Sequence, residues 1–386
     1  MDQKMFPYKS LINFAGLIMA TIVTILLMIF GKAVIIPIVI AVVICFLLNG
    51  ITNQVEQIVF FGVRIPRGVA LTITVLLFIQ GFLSLMRLSV TTVQEVLADS
   101  TLIIDNLNRL LNSLPGWVLS LLPEETLNQD SIYDIGNLIS MAVEYVSTLM
   151  TTFLGQAASI AGQALVILFY VIFLLIEQRT FTEKIGKMFS DPERRKNVES
   201  VLASITLMIQ KYVSVKTWVS IMVGTASWLV MWLFSLDNAL FWAILIFLLN
   251  YIPYVGSIVA VTFPVLFSMA QFGNWTIFIA LLSLLFLIQI VVGYMIEPML
   301  TGRTLDISPF VVLVSLSIFG TIWGVTGMVL AVPIVIIMII VFGHFETTRP
   351  MAILLSGNGN VSGFVPDEIL DPPPITSIPT PTVAVD

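Results

Sequence analysis

Glu297, Arg303 and Asp306 place two carboxylates and a guanidinium close together, at the end of a long apolar run. A carboxylate at a membrane boundary can bind a monovalent cation or exchange a proton once partial burial shifts its titration. The same charges can instead form a structural ion pair, with Arg303 clamping Glu297 or Asp306 and fixing a loop delimited by Pro298 and Pro309. A second set is uncharged: Asn250, Tyr251, Tyr254 and Ser257 gather around Pro253 and Gly256 in an otherwise apolar stretch. Where a helix breaks in lipid, freed carbonyls and half-helix ends can coordinate a cation or a neutral polyol. A hinge or a helix-packing corner would use the same residues. Gln289 stands among Ile288, Ile290 and Val291. An amide in that setting either bonds a neighbouring helix or meets a ligand.

These residues need elements to position them, and the composition says which kind. Hydrophobic residues make up 58% of the chain and charged residues 10%, with a mean hydropathy of +1.04. A soluble domain carries roughly 25% charged residues, so lipid solvates most of this chain. Windows near the roughly 20 apolar residues that cross a bilayer fall at 11–31, 33–51, 67–88, 150–176, 214–235 and 275–296. Two further apolar stretches are interrupted. The segment 240–270 breaks at Asn250 to Ser257 and carries Pro264 beyond the break. The segment 307–342 breaks around Thr321, Trp323, Gly324, Thr326 and Gly327 and carries Pro333 beyond it. In lipid, unpaired backbone groups cost several kcal/mol each and are tolerated only against protein or a water-filled cavity. Paired broken segments are therefore a pointer to a transporter's binding site. The expected fold is an all-α polytopic membrane protein with about six full spans, plus two broken helical hairpins related as an inverted repeat. Trp323 reads as an interfacial anchor or a lid.

Charge distribution gives an orientation. With the N-terminus inside, Lys4, Lys9, Arg64, Arg67, most bases between Arg179 and Lys211, Arg303 and Arg349 all fall inside, which follows the positive-inside pattern. Outside, clear of a span edge, fall Lys32 and Arg109. Lys211 and Lys216 flank the start of a span, where snorkelling is the ordinary account. The expected division is an N-terminal three-span region at 1–88 and an external, acidic, amphipathic helical subdomain at 89–149. Spans four and five follow with a cytoplasmic helical linker at 150–235, then a hairpin-containing transport core at 236–345. The Pro- and Gly-rich tail at 346–386, above all beyond Ser356, is expected to be disordered. The stretch Ser190 to Glu193 reads as a helix N-cap and first turn. Cys45, the single cysteine, reads as a packed thiol.

Absences narrow the function. There is no Gly-x-x-x-x-Gly-Lys-Ser/Thr phosphate loop, so the chain holds no ATP motor of that kind. One histidine cannot supply a His-Glu-x-x-His site, and no potassium-filter sequence occurs. No enzyme activity, cofactor, metal or nucleic-acid partner is expected. The expected partners are membrane lipid and a small polar solute, or a monovalent cation and a proton.

Four stretches carry a family likeness. Asn-Tyr-Ile-Pro-Tyr-Val-Gly at 250–256, Ile-Glu-Pro-Met-Leu-Thr-Gly at 296–302, Ile-Ser-Pro at 307–309 and Trp-Gly-Val-Thr-Gly-Met-Val-Leu-Ala-Val-Pro at 323–333 resemble the AI-2E family of transporters. The likeness covers nearly all of 10–345. By position the family's motifs fall on Pro253, Gly256, Glu297, Pro298, Gly302, Pro309, Gly324, Gly327 and Pro333. Glu177 and Gln178 depart from the aspartate-glycine pair that the family tends to show there. The resemblance implies a bacterial inner-membrane protein with cytoplasmic termini, assembled as a homo-oligomer, a pentamer being one candidate, with elevator-like hairpins in each subunit. It implies either export of autoinducer-2 or Na⁺(Li⁺)/H⁺ antiport. The leading expectation is an exporter of a small polar organic molecule, autoinducer-2-like, working by alternating access of the hairpins. The alternatives are a cation/proton antiporter using Glu297 and a non-transporting scaffold whose external helices bind a partner.

Overall fold

A computed structural model describes residues 16, 19, 22–57, 59–60, 63–98, 106, 162–177, 180, 184, 187–189, 191–301, 306–361 and 364. The fold is that of an all-α polytopic membrane protein, with six helices long and apolar enough to cross a membrane among the described residues. The chain forms two compact units, Met1–Ile176 with Val213–Leu300, and Glu177–Tyr212 with Thr301–Asp386.

In the first unit, helix α1 (Lys32–Glu56) leads through a two-stranded antiparallel ribbon, β1 (Val59–Phe60) and β2 (Val63–Arg64), to helix α2 (Arg67–Ala98). Helix α3 (Gly162–Glu177) follows. Ala41 and Leu48 of α1 meet Val171 of α3 in a buried seam, with Val75 and Phe78 of α2 packed against it. The outer faces stay apolar: Leu76, Phe169, Phe173 and Ile176 are all exposed. So much bare hydrocarbon is untenable in water and natural in lipid. Cys45 sits in this region as a half-buried thiol that accepts a weak bond from Asn49. Before α1, residues 22–30 are helical, and Gly31 has φ −82° and ψ 0°. Those dihedrals bend a helix but cannot double it back. The sharp outer turn expected at Lys32 is therefore absent. Helix α2 also runs on past the expected span end at residue 88.

Helix α4 (Pro192–Leu233) is one continuous helix of 42 residues, so the expected linker and the span at 214–235 are a single element. Its start is as the sequence suggests: Asp191 Oδ1 accepts the Glu193 N–H at 3.1 Å, with Pro192 in the first turn. Helices α5 (Ala239–Leu249) and α6 (Val255–Phe272) form the first hairpin. Trp242 of α5 packs against Phe267 of α6 with ring centroids 5.2 Å apart and the rings tilted by 40°. At its base Gln271 donates to Ser235 O at 3.1 Å and accepts the Asp237 N–H at 2.9 Å. The chain thus returns to the level where it started. Asn106 seals the same end, its amide donating to Ala270 O at 3.0 Å and Gln271 O at 2.9 Å. Helix α7 (Trp275–Ile290) packs back along α6, continues through a π-helical turn (Val291–Ile296), and ends in the short α8 (Glu297–Thr301). The core of this bundle is Trp242, Ile246, Leu281 and Leu285, all fully buried.

The second unit holds the other hairpin. Helix α9 (Pro309–Gly343) is broken at Gly324, whose φ of 64° and ψ of −145° no other residue type adopts easily. Its two arms fold together: a Cβ at Gly320 would lie 2.8 Å from Met328 Cε. In a straight helix residues eight apart are about 12 Å apart. Helix α10 (Arg349–Leu355) packs along α9. The base closes through Ser308 N–H to Leu355 O (3.2 Å), Gly357 N–H to Asp306 O (2.9 Å) and an Ile307–Ser356 bridge. The tail expected to be disordered is therefore ordered at its start, and Val361 and Phe364 are buried. Its remaining residues, and most of the expected external subdomain, lie outside the described residues.

Candidate functional site

The first hairpin's tip gathers most of the polar residues expected there. The turn Asn250–Tyr254 joins α5 to α6, and α4 runs antiparallel beside it. Asn250, 6% exposed, donates from Nδ2 to Ser220 Oγ of α4 at 3.0 Å. One turn earlier on α4, Thr217 Oγ1 lies 2.7 Å from the Tyr251 hydroxyl and 2.6 Å from Val213 O. The threonine has one proton and spends it on the carbonyl, so Tyr251 donates and keeps its oxygen as an acceptor. Ser257 donates to Tyr254 O at 2.9 Å, which holds the turn. Tyr254 has φ 60° and ψ −60°, with the Val255 N–H bonded to Pro253 O at 2.6 Å. That is the rare γ-turn with positive φ, a strain of about 1–3 kcal/mol for a residue with a side chain.

The charged member of the cluster is one that sequence reasoning missed. Lys216 is 5% exposed, not snorkelling, and its Nζ donates to Glu297 Oε1 at 2.6 Å. Glu297 is thus paired by Lys216, and Tyr254 lies in electrostatic range of it and of Tyr294. Arg303 and Gly302 lie outside the described residues. In the second unit Asp306 Oδ2 accepts the Asn358 N–H at 3.0 Å, a clasp on the segment after α10. The signal for Lys216 was its spacing. Lys216, Ser220, Val223, Ser227 and Met231 recur at three and four, and all are buried.

The π turn explains how Glu297 reaches its partner. The buried stripe of α7 runs Leu281, Leu285, Gln289, Val292 at α-helical spacing. The next step, to Glu297, is longer by one residue, which is what a π turn inserts. Without it position 297 would sit about 100° round the helix. Deleting Gly293, whose Cβ position is open, is expected to restore an α-helix with the glutamate four residues past Val292, still facing Lys216. Solute flux in proteoliposomes should then survive, whereas inserting one alanine after Gly293 should swing the glutamate about 100° away from the lysine and abolish it. Flux lost in a folded deletion, or kept in the insertion, would sink this account.

The remaining expected positions divide. Gly256 and Gly327 sit at the tips of their hairpins. Pro264 and Pro333 are buried within unbroken helical arms, so neither is itself a break. Pro309 opens α9 and Pro298 lies in the first turn of α8. Trp323 is 7% exposed and packs on Phe319, so it is an internal tip residue and not an interfacial anchor.

The model for AI-2E family transporters matches residues 18–347. The chain belongs to the AI-2E transporter family. AI-2 transport protein TqsA of Escherichia coli K12 is 27% identical over 335 residues, 85% of this chain and 90% of that protein. YhhT of the same organism is 29% identical over 311 residues, 78% of this chain and 83% of its own. A Borreliella burgdorferi protein is 30% identical over 221 residues, 57% of this chain and 61% of its own, under two thirds of its length. AI-2E membership makes this a transport protein, embedded in the membrane by several spans. Among the described residues no group of three or more His, Cys, Asp or Glu could hold a metal.

Proposed function

We propose that this AI-2E transporter exports a small, uncharged, polar organic solute across a bacterial inner membrane, with the first hairpin's tip as the binding site. The two hairpins alternate in exposing it. The observation that supports this reading is the closed ion pair: Lys216 neutralises Glu297. What Asn250, Tyr251 and Tyr254 then offer is amide and hydroxyl groups, the ligands of a hydroxylated solute. A nearby ammonium also repels a sodium ion. Membership alongside TqsA, named for AI-2 transport, extends autoinducer-2 to this chain as the solute to try first.

Cation/proton exchange is the second reading. It is favoured by the Glu297 side chain, which at 27% exposure is more open than the Lys216 side chain at 6%. One experiment separates them. Purified protein in proteoliposomes is loaded with autoinducer-2, and efflux is followed alongside internal pH after a Na⁺ or Li⁺ jump. Efflux that Asn250→Ala and Glu297→Gln abolish, without pH movement, is the expected result. Cation-dependent pH change lost in Glu297→Gln would replace the solute reading with antiport.

A further inference from the structure

Within α4, α5 and α7 of the first unit, three buried polar atoms have no hydrogen-bond partner among the described residues, Ser227 Oγ, Trp242 Nε1 and Gln289 Nε2, and further atoms of this kind lie on α1. Ser227, Trp242 and Gln289 are 0%, 1% and 7% exposed. Each orphaned group costs about 1–3 kcal/mol, and three helices each contribute one. The registers of these three place them at similar depth in the bundle.

The registers follow from contacts. Helix α5 runs antiparallel to α4: Asn250 meets Ser220, and a Cβ at Gly224 would touch Ala243 O at 3.2 Å and Phe247 Cβ at 3.3 Å. Helix α6 folds back on α5 and α7 folds back on α6, so α7 also runs antiparallel to α4. Counted at 1.5 Å per residue, Gln289 lies about 12 Å inward of Glu297 and Ser227 about 16 Å inward of Lys216. Trp242 lies about 12 Å inward of Asn250, which itself meets Ser220 about 6 Å inward of Lys216. Ser227 continues the α4 stripe that carries Lys216 and Ser220, and Gln289 continues the α7 stripe that carries Glu297. Trp242 lies next to Ala243, which meets Gly224 one turn before Ser227.

We infer a second, inner binding layer among α4, α5 and α7, two to three turns from the ion pair. An indole N–H and an amide NH₂ donate, and a hydroxyl can do either. The layer carries no charge. It therefore takes an uncharged molecule rich in acceptor oxygens, a hydroxylated or carbonyl-bearing solute together with its water. It deepens the solute reading above, by giving the solute a station beyond the tip.

The test needs no knowledge of the solute. In full-length protein with Cys45 replaced by serine, Ser227→Cys is exposed to a charged, water-borne methanethiosulfonate reagent, with Met231→Cys as the buried control one turn on. Reaction at 227 at least about tenfold faster than at 231 is expected, since the reagent arrives only through water. Equal, negligible reaction at both positions overturns the layer. Gln289→Cys serves in the same way if Ser227→Cys does not fold. Thermal unfolding adds a readout of opposite sign. In a dry core, Gln289→Leu and Trp242→Phe remove an unmet donor and raise Tm, which also overturns the proposal. Unchanged or lowered Tm in both is the expected result. Labelling at 227 without autoinducer-2 flux would reject that solute while leaving the inner layer standing.

Discussion

Lys216→Met is expected to abolish solute flux and to destabilise the protein by about 3–5 kcal/mol, the usual cost of leaving one member of a buried pair uncompensated. The Lys216 side chain is 6% exposed and that of Glu297 27%, with the bond at 2.6 Å. Water reaches the carboxylate left behind in part, so the cost falls at the lower end of that range. The partner variant separates structure from function. Lys216→Met with Glu297→Gln removes both charges and should recover most of the lost Tm, because neutral isosteres in place of a buried pair are often no worse than the pair. Flux should stay absent in the double variant if the charges position the solute. Restored flux would reduce the pair to a packing device. Wild-type Tm in Lys216→Met would show that the lysine is not buried in the membrane.

The second large effect is at the two hairpin tips. A Cβ at Gly256 would stand 1.8 Å from Leu249 O, and a Cβ at Gly327 would stand 1.9 Å from Phe319 O. Each also meets the Cβ of the residue four positions earlier at 3.0 Å, Ile252 in one case and Trp323 in the other. The obstacle is backbone, which cannot step aside as a flexible side chain can. Gly256→Ala and Gly327→Ala should each force the arms of their hairpin apart, at a cost of several kcal/mol, beyond the 1–3 kcal/mol of ordinary overpacking. Flux and Tm should fall together in both. Gly293→Ala, with nothing within 4 Å of its Cβ position, is the matched control. A tolerant Gly256→Ala would mean that the tip is loose in the working protein.

The near-identity of these two clashes bears on how much was legible beforehand. Glycine, proline and polar residues inside apolar runs read directly as breaks, because lipid allows no irregular backbone without a reason. That much of the fold followed from residue type alone, as did Asn250, Tyr251 and Tyr254 as a polar group at a break. Whether the segment 240–270 re-enters or crosses was open in the sequence. Helix α5, at 11 residues, is too short to cross a bilayer of about 30 Å, which favours a re-entrant hairpin.

What the sequence by itself determined is therefore local: which stretches lipid accepts, where the helix must stop, and which family's motifs it carries. Tertiary structure decided the pairings. Glu297 pairs with Lys216, 81 positions away along the chain. Proximity along the chain sets a partner only where nothing else packs in between. The π turn belongs to the same class, because VVGYMI carries no helix-breaking residue except Gly293. Its extra residue is held by the contact it makes possible, and no local preference announces that. Asp306 shows the converse: its carboxylate looks like an ion ligand in sequence and serves a backbone N–H at Asn358 in the fold. A polar side chain's type gives its chemistry, but only the packed structure says whether that chemistry is already spent.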